Sequence, residues 1–234
     1  MVPTDHSSIN SLINKVIKYS DSCSIEKKQR KQFTSFVRLY FSHASLNDLK
    51  HRPVAELFGM VHSHWLLVCK PQQSGKRVLH VFNPTVEKDG WHSTHTVIEL
   101  VTKDMPFVVD SMRMAMNRLD ITVHLMVYTG GIQVSRDAAG NVTKIDMYEH
   151  DQKNTASVES PVYMEIDRQT DPVVLSNLKT QLQMALDDVR HAVEDWHKIR
   201  ERVVASIDVL RFSKAPLLAK EVAESIAFLQ WLLD

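Results

Sequence analysis

Glycine is scarce in this 234-residue chain. There are six, at positions 59, 75, 90, 130, 131 and 140, where roughly 16 would match an ordinary ~7% usage. Dinucleotide and P-loop cradles need several glycines at close spacing, because the backbone must approach the phosphates. No two glycines here stand at G-x-G spacing, so a nucleotide site inside this chain is not expected. Cysteine is scarcer still. Cys23 and Cys69 are too few and too far apart for a disulfide framework or a cysteine-based zinc site. Charge of one sign is also lacking: 28 Lys+Arg balance 28 Asp+Glu. That argues against a dedicated nucleic-acid binder or a polybasic membrane protein. Long apolar runs are missing too, and stretches such as Trp65–Cys69 are far too short to span a bilayer. The opening residues, MVPTDHSSIN, carry neither the basic nor the apolar region of a signal peptide. A cytoplasmic, reduced setting is expected.

What is present is ordinary globular material, with 44% hydrophobic and 24% charged residues. The charge is unevenly placed. Residues 1–77 hold 12 Lys+Arg against 5 Asp+Glu, and residues 78–234 hold 16 against 23. A basic helical layer docked on an acidic remainder would account for this split. Residues 1–70 read as helices, with apolar stripes Ile9–Ile17 and Phe33–Phe41 and a third helix opened by Pro53. Residues 71–190 read as an α+β domain. Strands are expected at 77–83, 94–102, 121–136, 142–148 and 158–167, with a hairpin turn at Asp137–Asn141. Between them a helix over 105–119 is expected, with Asp104 as N-cap and Pro106 in its first turn. Asp171-Pro172 opens a helix whose 3-4 apolar spacing continues to about residue 210. Residues 191–234 form a helical extension, with Ser213 as a candidate cap for the last helix. That helix ends in Phe228-Leu-Gln-Trp-Leu-Leu-Asp234, which reads as a chain cut from a longer protein.

The catalytic signatures are thin. Twelve histidines include His62-Ser-His64 and His92-Ser-Thr-His95, but no H-E-x-x-H and no evident third ligand, so no metal site is expected. No G-x-S-x-G occurs, and no catalytic residue is assigned. The informative stretch is 83–112, with a Gly-Trp turn, an alternating strand and a tight strand-to-helix junction. The helix start at Asp104, Met105, Pro106 and Phe107 could hold the carboxylate of an amino-acid effector. The competing reading is that Asp104 itself satisfies those N–H groups.

Asn83-Pro84, Gly90-Trp91, His95-Thr96 and Asp104-Met-Pro-Phe-Val-Val-Asp110-Ser111 resemble the N-terminal region of the large bacterial NAD-dependent glutamate dehydrogenases. The resemblance extends through Asp48-Leu49, Ser63-His64-Trp65, Arg136-Asp137, Asp188-Val-Arg190, Asp195-Trp196 and Phe228–Leu233, covering roughly residues 30–234. One departure is Thr129-Gly130-Gly131, where the family usually shows His-Pro, so a different bend is expected there. The resemblance implies an ACT-like (ferredoxin-like) antiparallel sheet with helices on one face, flanked by N-terminal helices and a long C-terminal helix. It implies a parent enzyme oxidising L-glutamate to 2-oxoglutarate with NAD+. This chain would be its regulatory and assembly part, with no cofactor of its own. Downstream domains of the same chain, a second copy and an amino-acid effector are the implied partners. The fourth ACT-type strand is expected to be supplied from before the domain by residues 77–83, a permuted arrangement.

Overall fold

The computed structural model describes residues 5–23, 25–70, 77–147, 157–212 and 218–233, the side chains of 5–8 and 197 apart. The chain begins with helices α1 (Asp5–Ser20), α2 (Arg30–Ser42), the short α3 (Leu46–Leu49) and α4 (Val54–Cys69). Apolar residues recur three and four apart in α2, so Phe33, Phe36, Val37, Tyr40 and Phe41 share one buried stripe. Pro53 stands at the N-cap of α4, where a fixed φ and a missing N–H cost nothing.

Next come β1 (Val78–Phe82), the single turn α5 (Val86–Asp89), β2 (Thr96–Lys103) and α6 (Val108–Arg118). They are followed by β3 (Val123–Tyr128), β4 (Ile132–Arg136), β5 (Val142–Met147) and β6 (Ser157–Ile166). The six strands form one sheet in the order β1-β2-β6-β4-β5, with β3 also on β6, and every pairing is antiparallel. The first half of β6 pairs with β4 and its second half with β3. Together β3 and β4 therefore act as one bent strand. β1 takes the edge beside β2.

Both faces of the sheet are covered. Side chains alternate across a strand, and β2 is buried at every position from Thr96 to Thr102. Val97, Val101, Leu125, Val127 and Tyr163 join the aromatic core of α1, α2 and α4. Ile98, Leu100, Val162, Met164 and Ile166 face the other way and are buried together with Val108, Met112 and Met116 of α6. Leu178 and Leu182 of α7 (Pro172–Phe212) are buried as well. This is an ACT-like α+β fold.

Three expectations need correcting. Asp104 does not cap α6. The helix starts at Val108, its N-cap is Phe107 at φ 69°, and no side chain caps it. Asp104 stays with the sheet, its N–H donating to Val158 O at 2.9 Å. The expected strand 121–136 is broken at 129–131, where Gly130 takes φ 74°, a left-handed conformation open to glycine. The last helix, α8 (Ala219–Trp231), has Leu218 at its N-cap. Ser213, Tyr148 and Asp234 lie outside the described residues. Asp171 does begin α7, its carboxylate accepting from Val173 N–H at 2.8 Å. The Asp137–Asn141 hairpin is also present, with Asp137 N–H donating to Asn141 O at 2.9 Å.

The chain divides into two compact units, residues 1–186 and 187–234. Within the second, Arg200 donates to Leu233 O at 3.0 Å, and Ile207 is buried.

One contact fixes where α4 can lie. A Cβ built on Gly59 would overlap the Trp91 indole, whose Cδ2 would be 2.8 Å away. Trp91 packs directly against the helix backbone at Gly59, where a side chain would collide with its Cβ and Cγ. Gly59→Ala gains up to ~1 kcal/mol in helix propensity but overpacks a filled site at a cost of about 1–3 kcal/mol. We expect net destabilisation of about 1–2 kcal/mol, read as a lower urea midpoint at unchanged slope.

Candidate functional site

Ionisable side chains are rarely buried without partners, yet one face of the sheet carries three buried glutamates: Glu99 on β2, and Glu159 and Glu165 on β6. Glu165, fully buried, accepts two hydrogen bonds from Arg52, from Nη1 at 2.7 Å and Nη2 at 2.6 Å. Tyr163 Oη donates to the same carboxylate at 2.8 Å, and His95 Nδ1 lies 3.5 Å from it. The hydrogen bond to Glu165 raises the Arg52 pKa further despite its partial burial. Glu159 accepts from Arg136 Nη2 at 3.0 and 3.1 Å, and the same Arg136 nitrogen donates to Val68 O at 2.8 Å.

The two arginine–glutamate pairs thus pin both ends of α4. Arg52 precedes its first turn, and Val68 belongs to its last. Its middle is held by His64, fully buried, with Nε2 3.1 Å from Leu100 O and Nδ1 3.1 Å from Tyr40 Oη. A carbonyl only accepts, so Nε2 carries the proton and Nδ1 accepts from the tyrosine. Burial lowers the His64 pKa and keeps it neutral. Burial, reinforced by the nearby glutamates, pushes the Tyr40 and Tyr163 hydroxyls well above the ordinary tyrosine range.

The residues singled out in the sequence fall into separate places. Asn83, Thr96 and Gln169 tie β1, β2 and the exit of β6 together. Thr96 Oγ1 donates to Asn83 Oδ1 at 2.7 Å, Asn83 Nδ2 donates to Gln169 O at 2.8 Å, and Gln169 N–H donates to Thr96 Oγ1 at 2.8 Å. Pro84 is buried beside them. Gly90 closes α5 at φ 74° and delivers Trp91 to Gly59. His95 and His124 rings lie 4.6 Å apart, and His124 Nε2 is 2.7 Å from Asp167 Oδ1. His62 stacks on Phe58, 5.0 Å between centroids, away from His64. Among the described residues no group of three or more histidine, cysteine or acidic side chains is placed to hold a metal ion.

At the strand-to-helix junction, Asp104 Oδ1 accepts from Ser160 Oγ at 2.5 Å, and a Cβ on Gly131 would sit 3.0 Å from the Asp104 carboxylate. Met105 is half-buried, while Pro106, Phe107 and Asp110 are exposed and Ser111 is half-buried. The ring of Phe107 stands out into solvent above the start of α6.

The buried charges went unremarked in the sequence, although a signal existed. Glu99 interrupts Val97-Ile-Glu-Leu-Val101, and Glu165 interrupts Val162-Tyr-Met-Glu-Ile166. A carboxylate inside a strand buried on both faces has no solvent side to turn to.

A permuted antiparallel sheet, with α6 and α7 on one face and a pinned helical layer on the other, defines an ACT-like module. Residues 36–182 match the family described as Glutamate dehydrogenase, ACT1 domain. The chain belongs to that family. It is 34% identical over 203 residues to an NAD-specific glutamate dehydrogenase of Pseudomonas aeruginosa, covering 87% of this chain and 12% of that protein. It is 32% identical over 211 residues to an NAD-specific glutamate dehydrogenase of Halomonas elongata, covering 90% of this chain and 13% of that protein. The chain therefore spans a small fraction of the length of these relatives. No helix among the described residues is long and apolar enough to cross a membrane.

Removing one partner of a buried pair leaves the other uncompensated, at a cost of about 3–5 kcal/mol, whereas replacing both with apolar residues is often neutral. Arg52→Met is expected to destabilise by that amount, and Arg52→Met with Glu165→Leu by much less. Urea denaturation of the double-mutant cycle checks both.

Proposed function

We propose that this chain is a non-catalytic regulatory and assembly module of an NAD-dependent glutamate dehydrogenase. The parent reaction, oxidative deamination of L-glutamate to 2-oxoglutarate with NAD+, takes place in the cytoplasm, in parts of the polypeptide outside these residues. The division into an N-terminal helical region (1–70), an ACT-like domain (71–190) and a helical extension (191–234) belongs to the same proposal.

One observation carries the assembly role. Residues 187–234 expose a series of large apolar side chains: Trp196, Val209, Phe212, Phe228 and Trp231, with Phe212 82% and Trp231 69% exposed. Large apolar side chains left exposed in such number point to a face that docks on something. The occupant is a second copy of this chain or a further domain of the parent. The uncapped start of α6, with Asp104, Met105, Pro106 and Phe107 around it, is the place where an amino-acid carboxylate would meet a helix N-terminus.

Sedimentation velocity across a wide concentration range tests the assembly role. The chain is expected to associate with itself, and Phe212→Glu with Trp231→Glu to abolish that. A chain monomeric at every concentration would remove the self-assembly role. Titration calorimetry with the common amino acids tests the effector role, and heat from none of them would remove it.

A further inference from the structure

Of the three glutamates under the helical layer, Glu165 has Arg52 and Glu159 has Arg136. Glu99 has neither. Its side chain is 1% exposed, and neither carboxylate oxygen has a hydrogen-bond partner among the described residues. The ionisable groups around it are Tyr40 on α2, His64 on α4, Tyr163 and Glu165 on β6, and His80 on β1.

Among these groups and Arg52, every side-chain donor except His80 is engaged elsewhere. Tyr40 donates to His64, His64 to Leu100 O, Tyr163 to Glu165, and Arg52 to Glu165 and Glu56. The remaining group is His80, directly opposite Glu99 in the β1–β2 register, with Nδ1 3.7 Å from Oε2. That is beyond hydrogen-bond reach. His80 is half-exposed, stacks on Phe82 at 3.9 Å between centroids, and sits on the edge strand. Glu99 thus meets solvent as soon as β1 and the helices above it move.

A buried carboxylate without hydrogen bonds is one of the most costly groups a fold can carry. The cost disappears when the group is rehydrated. We infer that Glu99 is a built-in destabiliser that makes edge strand β1 and the α2/α4 layer the first part of residues 1–186 to open. Opening there hydrates Glu99, so it lies well below global unfolding in free energy, as local openings do. On the opposite face, α6 and the first half of α7 cover apolar residues of β2 and β6 and gain nothing comparable on opening. This inference does not depend on what the parent protein catalyses.

Native-state hydrogen exchange on the 234-residue chain tests it. Glu99→Met replaces the carboxylate with an apolar side chain of similar length. Exchange of amides in β1, α2 and α4 is expected to slow roughly tenfold or more, the scale at which apolar replacement of buried charge stabilises. Amides of α6 and of α7 before residue 187 that exchange by local openings are expected to keep their rates, and those that exchange only through global unfolding to slow by the same factor. Should Glu99→Met not fold, His80→Lys serves instead, placing a permanent cation at a half-exposed edge position. It too is expected to slow β1, α2 and α4 selectively. Unchanged or faster exchange there in either variant, or wild-type exchange in β1, α2 and α4 no faster than in α6 and in α7 before residue 187, would overturn the inference.

Discussion

The pairing of Arg52 with Glu165 is the contact that the arrangement of residues 1–186 depends on. Glu165 sits in a strand buried on both sides, where an unpaired carboxylate is costly and a cation of matching geometry offsets that cost. A guanidinium supplies both hydrogen bonds at once, and it comes from the turn before α4. With Arg136 holding the far end of the same helix, α4 can be laid on the sheet in one way. The remaining helices then pack around it, and Phe33, Phe36 and Trp65 fill the space between. Arg52 and Glu165 join the basic first third to the acidic remainder of the chain, while Arg136 and Glu159 both belong to the remainder.

Much of this was legible in the residues themselves. Helical spacing located α1, α2, α4 and α7, and alternation located the strands, because burying one face imposes its period on the sequence. Pro53, Asp171-Pro172 and the Asp137–Asn141 turn marked boundaries for local reasons. Asp104 misled because its local pattern is that of an N-cap, while a tertiary partner, Ser160, 56 residues away, engages its carboxylate. Phe107 in a left-handed conformation has no local signal. The bend at 129–131 was half-visible, since two adjacent glycines announce freedom without saying how it will be used. The buried glutamates stood in plain view inside apolar runs, but their partners lie far away in sequence and no spacing rule connects them.

With both faces of the sheet occupied, the surface of residues 1–186 left for other molecules consists of strand edges, loop ends and the outer sides of helices. The motif shared with the glutamate dehydrogenase family turns out to be largely architectural. Asn83 and Thr96 tie strand ends, Gly90 turns the chain, Trp91 lies on Gly59, and Asp104 anchors a junction to β6. Such residues define where a module's edges are, and hence what neighbouring domains meet.

β6 pairs with β2, β3 and β4 and carries Glu159, Tyr163 and Glu165. It is also the last strand among the described residues. Arg52 must wait for a partner 113 residues downstream. At ribosomal rates of about 5–20 residues per second, that is a delay of roughly 6–23 seconds. For that interval the aromatic helices have no sheet to lie on, and the order of synthesis is the reverse of the order in which the docking surface is needed. The pairings of β6 with β2 and β3 join residues far apart in sequence, and long-range pairing of this kind is slow for reasons of topology rather than of stability.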